Sequence, residues 1–169
     1  MISGKRIVLR KIIPTDLDVL LNWENDPANH EYSEVPSFYT REMMNDFVCS
    51  NHDLFINNQL RLMIIYNNVS IGCVDLFDFD PFHLRAGVGV LIDAQYRDVG
   101  LAKEALLLLE FYSFNDLNIN QLHCKISVKN IRSVGLFKSC GYQITGELKS
   151  WLKTQNTFDN VLFLQKLNN

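Results

Sequence analysis

The chain has 169 residues, of which 47% are hydrophobic and 21% are charged, and its formal net charge is -3. This length and composition suit one folded domain that builds its core without disulfides or metal ions. The lack of a basic surplus argues against a nucleic-acid partner. Charges at Lys5, Arg6 and Arg10 interrupt the N-terminal segment, which is not typical of a signal peptide, and no apolar run approaches the roughly 20 residues that cross a bilayer. We therefore expect a cytoplasmic protein that binds neither membranes nor nucleic acid.

The cysteines and histidines are scattered, and no C-x-x-C pair occurs among them. This spacing favours a reducing compartment over a disulfide framework, and it predicts no metal site. The residues concerned are Cys49, Cys73, Cys124 and Cys140, together with His30, His52, His83 and His123.

The first part of the chain predicts a strand followed by two helices. Apolar and polar residues alternate over residues 7–10, as they do in a half-buried strand. Thr15 is expected to cap a first helix that ends at Asn25, and Thr40 is expected to cap a second helix.

The middle of the chain predicts three strands. Residues 60–66 and about 70–78 form a hairpin, because Asn67 and Asn68 between them tolerate the positive φ of a tight turn. Residues 86–92 form the next strand, which runs towards the most informative segment of the chain.

The second half begins with a Leu- and Ala-rich stretch, residues 100–115, which predicts a buried helix. A strand, a short helix stopped by Gly141 and a closing hairpin follow, at residues 122–128, 131–140, 147–152 and 161–167. The resulting order, β-α-α-β-β-β-α-β-α-β-β, predicts a single α/β domain of the mixed α+β kind. We expect a twisted, mixed sheet of about six to seven strands with helices on both faces.

Residues 90–106, V-L-I-D-A-Q-Y-R-D-V-G-L-A-K-E-A-L, pass from a strand through a short loop into a helix. Gly100 allows the backbone to approach a ligand closely, and Ala102 is small. The first amides of a helix lack internal partners and lie at its positive end, so this turn suits a phosphate. Arg97 and Lys103 are expected to add positive charge at the rim. The spacing R-x-x-G-x-A alone equally suits an ordinary helix start.

Four elements in this order resemble the GCN5-related N-acetyltransferase (GNAT) superfamily. Arg97, Gly100 and Ala102 match its acyl-CoA motif, [QR]-x-x-G-x-[GA]. Residues 130–142, N-I-R-S-V-G-L-F-K-S-C-G-Y, are similar to its second signature. Residues 21–27, L-N-W-E-N-D-P, and the closing hairpin resemble the branch that contains ribosomal-protein N-terminal and spermidine or diamine acetyltransferases.

The resemblance covers residues 5–167 and implies one acetyltransferase domain. It implies acetyl-CoA as co-substrate, with the pantetheine arm along the splayed central strand, the diphosphate on the loop and no metal. By analogy it also implies a homodimer through the sheet edge or the closing hairpin. The residues implied to bind the coenzyme are Val90, Leu91, Ile92, Arg97, Asp98, Val99, Gly100, Leu101, Ala102, Lys103, Asn130, Ser133, Phe137 and Lys138.

Two positions depart from the family pattern. Many relatives carry a glutamate base where this chain has Gly87, and a tyrosine acid where it has Phe137. Ser133, in N-x-x-S, is expected either to protonate the departing sulfur or to bond its own helix backbone. Asp75, on the neighbouring strand, is expected either to take the proton of the amine or to serve as an ordinary strand carboxylate. Catalysis by positioning alone is a further alternative.

The resemblance places the acceptor pocket between the first two helices, the central strands and the closing hairpin. These segments carry the carboxylates of Glu24, Asp26, Glu31, Glu34, Asp75, Asp78 and Asp80. They suit a cationic acceptor such as a polyamine, an amino sugar or a peptide N-terminus, and they also suit an ordinary acidic surface. Trp23 and Tyr32 are expected either to line the pocket or to pack in the core. The predicted substrate-binding residues are Trp23, Glu24, Glu34 and Asp75.

Three functions remain open on the sequence. The first is an acetyl-CoA-dependent N-acetyltransferase in which a primary amine attacks directly in a ternary complex. The second is an acyl-CoA-binding sensor or scaffold without catalysis, which the two departures favour. The third is a nucleotide-binding module of another fold.

Overall fold

Eight strands form one mixed sheet in the computed structural model, which describes residues 1–30, 38–154 and 156–168. The strands are β1 (Ile2–Ser3), β2 (Ile7–Lys11), β3 (Leu60–Tyr66), β4 (Val69–Asp80), β5 (Arg85–Ile92), β6 (Gln121–Ser127), β7 (Gln143–Lys153) and β8 (Phe158–Leu167). Their spatial order is β1-β2-β3-β4-β5-β6-β8-β7. β5 and β6 are parallel, and the other neighbours are antiparallel. The predicted mixed sheet is confirmed, and the two-residue β1 brings it to eight strands.

Helices lie on both faces of this sheet, as predicted. They are α1 (Leu17–Asn25), α2 (Pro27–His30), α3 (Arg41–Cys49), α4 (Leu54–Asn57), α5 (Leu101–Phe111) and α6 (Ile131–Ser139). Leu106 and Leu109 of α5 join the core on one face, and Leu20 of α1 and Met44 of α3 join the core on the other. In the described ranges, no helix combines the length and the apolar character that crossing a membrane requires.

The alternation of β3 explains how the two faces are built. Leu62 and Ile64 belong to the core beneath α5, whereas Met63 belongs to the core beneath α1 and α3. Since successive side chains of a strand point to opposite faces, Arg61 shares the face of Met63. An arginine is thereby placed under α1 and α3, beside the central strands.

Several predicted boundaries hold and one cap does not. Thr40 caps α3, since its Oγ1 accepts from the amide of Met43 at 3.2 Å. Asn67 and Asn68 have φ values of 49° and 64°, as the hairpin turn requires. The prediction that Thr15 caps α1 is wrong. Thr15 lies inside a 3-10 turn, and the Asp16 carboxylate at its end accepts from the amide of Ile13 at 2.9 Å.

The helix predicted to run to residue 115 is shorter. α5 ends at Phe111, and residues 112–116 continue it as a π-helical turn. This segment carries the buried Ser113, whose hydroxyl donates to the carbonyl of Leu109 at 2.7 Å. A serine that bonds the preceding turn loosens regular helix geometry, which accounts for the early end.

The two parallel strands separate part of the way along their length. β5 and β6 pair only from Arg85–Gln121 to Gly87–His123. Beyond that point β5 continues to Ile92 and β6 to Ser127 without facing each other in the sheet. Among the described residues, the splay leaves one edge of the distal half of β5 without a strand partner. α5 and α6 both begin at this end of the sheet.

Candidate active site

A cavity of about 1130 Å³ opens where β5 and β6 separate. Its wall contains most of the predicted site residues, namely Trp23, Glu24, Asp75, Val90, Leu91, Ile92, Arg97, Asp98, Gly100, Leu101, Ala102, Lys103, Asn130 and Ser133. Val99 and Lys138 are exposed away from this wall, and Phe137 is buried in the core. Glu31, Tyr32 and Glu34 lie outside the described residues.

The turn before α5 has the backbone geometry of an anion site. Gly100 is the N-cap, with φ 81° and ψ 7°, in the left-handed region that favours glycine. The first intrahelical bond of α5 runs from the Glu104 amide to the Gly100 carbonyl at 3.2 Å. The amides of Leu101, Ala102 and Lys103 precede this bond, so they are available to a ligand at the positive end of the helix dipole.

Arg6 stabilises this turn through hydrogen bonds, although the sequence did not indicate it as a site residue. Its Nη1 donates to the Val99 carbonyl at 2.9 Å, and its Nε and backbone amide bind the Glu104 carboxylate at 2.8 and 2.7 Å. Burial acts to raise the pKa of Glu104, but the Arg6 and Ile7 amides and the Arg6 guanidinium bring that pKa below its ordinary value. The N-terminal segment thereby fixes the loop and the first turn of α5 together.

The predicted rim charges behave differently from each other. Arg97 turns inward, with Nε donating to the Ile92 carbonyl at 2.9 Å and Nη2 donating to Asn29 Oδ1 at 3.0 Å. Lys103 is exposed on the first turn of α5. Arg97 therefore ties the loop to the end of β5 and to α2, while Lys103 stays accessible to a ligand.

The second signature places one cap and one hydroxyl on the wall. Asn130 caps α6, because its Oδ1 accepts from the Ser133 amide at 3.1 Å. Within the described ranges, no hydrogen-bond partner is present for the Ser133 hydroxyl. Phe137, at the position of the family tyrosine, is 3% exposed and packs edge-on against Tyr142 at 5.0 Å. Its predicted contact with the coenzyme does not fit this burial.

Arg132 of α6 reaches across to the loop. Its Nη2 lies 2.5 Å from Asp98 Oδ2, and both side chains are largely exposed. Asp98 itself has a positive φ of 64°. This ion pair connects the loop before α5 to the first turn of α6, which also carries the Ser133 hydroxyl.

The W-E-N-D-P segment builds the opposite wall of the cavity through side-chain hydrogen bonds. Trp23 is buried, and its Nε1 donates to Asp93 Oδ2 at 3.0 Å. Asn25 bonds both the amide and the carbonyl of Tyr39, at 2.8 and 2.9 Å. Asp26 accepts from the Ala28 amide at 2.9 Å. Trp23 thus joins α1 to the end of β5, and it both packs and lines the cavity.

A three-residue ion cluster lies on the same wall. Arg61 binds Asp75 through two contacts, Nε–Oδ1 at 2.6 Å and Nη2–Oδ2 at 3.2 Å, and its Nη1 binds Glu24. The Arg61 guanidinium also lies over the Phe47 ring, 5.4 Å from its centroid. Burial would lower the pKa of Arg61, but Asp75, Cys73 and Glu24 raise it well above its ordinary value. The sequence indicated the two carboxylates but not the cation between them.

At Gly87, the usual position of the glutamate base, the space of a side chain is occupied. A Cβ atom at Gly87 would lie 2.3 to 2.7 Å from carbon atoms of the Phe77 ring, so that ring fills the space. Gly89, two residues on, faces the Asp75 carboxylate, which lies 3.6 Å from the place of a Cβ. The cavity wall here consists of bare backbone beside Asp75.

Several carboxylates predicted for the acceptor pocket have other tasks. Asp26 caps α2, and Asp80 binds the amides of Phe82 and His83 and lies 3.1 Å from Arg85. Asp78 is exposed outside the cavity wall. Glu24 and Asp75 remain as the predicted acceptor carboxylates that line the cavity within the described part of the chain.

Comparison with known proteins identifies the family. A profile described as acetyltransferase (GNAT) domain matches residues 6–143. The uncharacterized N-acetyltransferase p20 of Bacillus licheniformis is 28% identical over 166 residues, which are 96% of this chain and 93% of that protein. Spermidine N(1)-acetyltransferase of Escherichia coli (strain K12) is 25% identical over 149 residues, which are 88% of this chain and 78% of that protein.

Solved structures agree on the fold. Spermidine N-acetyltransferase from Vibrio cholerae, in complex with CoA and spermine, superposes with a TM-score of 0.88 at 21% identity and covers 98% of this chain and 97% of its own. RimL, a ribosomal alpha-N-protein acetyltransferase in complex with coenzyme A, gives 0.87 at 17% identity, with 97% and 95% covered. These matches overturn the alternative of a nucleotide-binding module of another fold. The chain belongs to the acetyltransferase (GNAT) domain family and is an acyltransferase.

Proposed function

We propose that the protein transfers an acetyl group from acetyl-CoA to a primary amine by direct attack in a ternary complex. The observation that carries this proposal is one cavity whose wall holds both the amides after Gly100 and the carboxylates of Glu24 and Asp75. Helix-start amides attract phosphate, and carboxylates attract an ammonium ion. The same cavity therefore suits both substrates.

The coenzyme is proposed to lie along β5 and the turn that follows it. The amides of residues 101–103 take the diphosphate, with Lys103 beside them. The pantetheine arm follows residues 90–92, where β5 lacks a strand partner on one edge. The side-chain amide of Asn130, which lines the cavity, is proposed to hold that arm. The complexes of the V. cholerae enzyme and of RimL with coenzyme A support this assignment.

The reaction requires a neutral amine, although an aliphatic amine has a pKa of about 10. The amine nitrogen forms a bond to the thioester carbonyl carbon, and a backbone N–H near Val90 or Leu91 stabilises the oxyanion. The carbon–sulfur bond then breaks, and the Ser133 hydroxyl gives its proton to the sulfur and takes one from solvent in return. Asp75 already binds Arg61 with both oxygens, so we propose that it orients the amine while solvent carries the amine proton away.

The chemistry of Cys73 further supports direct transfer of the acetyl group to the amine. Among the described residues, Cys73 is the cysteine that lines the cavity. Burial raises the pKa of its thiol to about 12. A thiol that stays protonated at neutral pH is a poor nucleophile, which disfavours an acetyl-enzyme intermediate.

The proposed acceptors are a polyamine, an amino sugar and a peptide or protein N-terminus. The first and third are supported by the names of relatives, which include spermidine and ribosomal-protein acetyltransferases. We also propose one catalytic domain over residues 5–167, a location in the cytoplasm and assembly through the closing hairpin or sheet edge. A dodecameric structure is known for the V. cholerae spermidine N-acetyltransferase.

A sensor or scaffold that binds acyl-CoA without turnover is the second candidate. The observation that favours it is the loss of both inherited side chains, since Phe77 fills the space at Gly87 and Phe137 is buried. It predicts tight coenzyme binding with no transfer.

A screen of acetyl-CoA against polyamines, amino sugars, amino acids and N-terminal peptides separates the two candidates. Thiol release that depends on the amine, with the acetylated product seen by mass spectrometry, is the expected result. Micromolar binding of coenzyme A by calorimetry together with no product from any amine would favour the sensor. Absence of any binding at millimolar coenzyme A would contradict both.

A further inference from the structure

We infer that Arg61 determines the acceptor class, because it reduces the cluster that it forms with Glu24 and Asp75 to one net negative charge and so selects amines that carry a single positive charge. The proposal rests on the proposed N-acetyltransferase function. It names monocationic acceptors, such as a peptide N-terminus or an amino alcohol, in preference to diamines and polyamines.

The geometry leaves Arg61 little freedom to release either carboxylate. Both oxygens of Asp75 and one oxygen of Glu24 are bound by the same guanidinium. Its side chain is 15% exposed, and the side chains of Asp75 and Glu24 are 14% and 22% exposed. A planar guanidinium with three directed contacts is held far more firmly than an exposed ion pair.

The packing around Arg61 holds it in place as well. The Phe47 ring of α3 lies against the guanidinium at 5.4 Å, and alternation along β3 keeps the side chain on the face of α1 and α3. An arginine keeps its charge at every physiological pH. The cation is therefore a permanent part of the wall.

The remaining wall carboxylate does not supply a second anionic site. Within the described ranges the cavity is lined by three carboxylates, those of Glu24, Asp75 and Asp98, and Asp98 is paired with Arg132 at 2.5 Å. A diamine or polyamine would bring a second ammonium that gives up its hydration without an unpaired carboxylate to meet. An acceptor with one ammonium meets the single excess charge of the Glu24–Arg61–Asp75 cluster.

The first experiment compares two acceptors of equal length with the unmodified enzyme. Cadaverine carries an ammonium at each end, whereas aminopentanol carries one ammonium and one hydroxyl. We expect aminopentanol to be acetylated with a kcat/KM at least equal to that of cadaverine. A higher kcat/KM for cadaverine would overturn the inference, and it would leave the proposed function intact.

The second experiment changes the charge at residue 61. Arg61→Gln leaves two unpaired carboxylates, so the cadaverine-to-aminopentanol ratio of kcat/KM should rise about tenfold, the size of a unit-charge interaction across a partly screened pocket. Arg61→Lys keeps the charge and should keep the wild-type ratio. A ratio that does not rise in Arg61→Gln contradicts the inference. Arg41→Gln removes an equal charge at the exposed contact with Asp18 and serves as the control.

Thermal melts followed by circular dichroism establish whether each variant folds. If Arg61→Gln does not fold, the wild-type comparison decides by itself. If the protein binds coenzyme A but acetylates no amine, the proposed function fails. That result is distinct from a preference for cadaverine, which contradicts only the inference about Arg61.

Discussion

Among the side chains on the cavity wall, Ser133 is the one that we propose as a proton donor. It lies in the first turn of α6, and its amide is already used by the Asn130 cap. The neighbouring Ser139 differs, because its hydroxyl donates to the Leu136 carbonyl at 2.8 Å. Both serines line the cavity. They offer a matched comparison between the Ser139 hydroxyl, which bonds its own helix, and the Ser133 hydroxyl, which makes no such bond among the described residues.

Ser133→Ala should lower kcat at least tenfold, because the sulfur would leave without its proton donor. Ser139→Ala should keep kcat near the wild-type value. Steady-state thiol release at saturating acetyl-CoA and amine measures both. Unchanged kcat in Ser133→Ala would remove this residue from the mechanism.

Arg6 does not line the cavity, but it stabilises the turn before α5 at which we propose that coenzyme A binds. Arg6→Gln should weaken coenzyme A binding about tenfold, because the Val99 carbonyl and the Glu104 carboxylate lose their common anchor. Calorimetry with coenzyme A gives the dissociation constant. Arg85→Gln, which removes an exposed pair with Asp80, should leave that constant unchanged. Equal affinities for wild type and Arg6→Gln would show that the turn holds its shape by itself.

At the scale of elements, β5, its loop and α5 form the unit that carries the proposed phosphate turn at Gly100. The unit works because β5 leaves β6 after Gly87 and because the chain reverses into α5 through Gly100. A second left-handed glycine, Gly141 with φ 93°, follows α6 outside the cavity wall. The two glycines make similar backbone demands at sites of different function.

Gly100→Ala should cost about 1 kcal/mol of unfolding free energy, and Gly141→Ala a similar amount, since a Cβ is disfavoured at positive φ. Only Gly100→Ala should also weaken coenzyme A binding, because its Cβ lies at the phosphate turn. Urea melts and calorimetry separate the two effects. Equal loss of affinity in both variants would argue against a phosphate site at this turn.

Across the whole molecule, an ion pair joins the start of α1 to strands β2 and β4 of the sheet. Arg10 of β2 binds both oxygens of Asp16, at 2.6 and 2.8 Å, and Ser70 of β4 bonds to both residues. Asp16 is 3% exposed. Burial acts to raise the pKa of Asp16, but the Arg10 guanidinium, the Ile13 amide and the Ser70 hydroxyl bring that pKa below its ordinary value.

Asp16→Asn should lower the unfolding free energy by about 3 kcal/mol at neutral pH, because it leaves the partly buried Arg10 without its partner. A folded-state pKa below the unfolded one means that the carboxylate stabilises the fold above the unfolded pKa and loses this effect as the pH falls through the lowered value. The difference between wild type and variant should therefore shrink in urea melts performed below about pH 4. Asp18→Asn, at an exposed pair, should change stability by less than about 1 kcal/mol at any pH.

The sequence by itself determined what depends on local order along the chain. Periodicity, the Thr40 cap and the Asn67–Asn68 turn predicted the elements, and the glycine turn with the 130–142 signature predicted the family, because each of these features occupies a short continuous segment of the chain. Only the tertiary structure decided which distant charges meet. Arg61 finds Glu24 and Asp75 across 37 and 14 residues of chain, and Arg6 finds Glu104 across 98. Such contacts follow from strand order and side-chain direction, which local patterns do not encode.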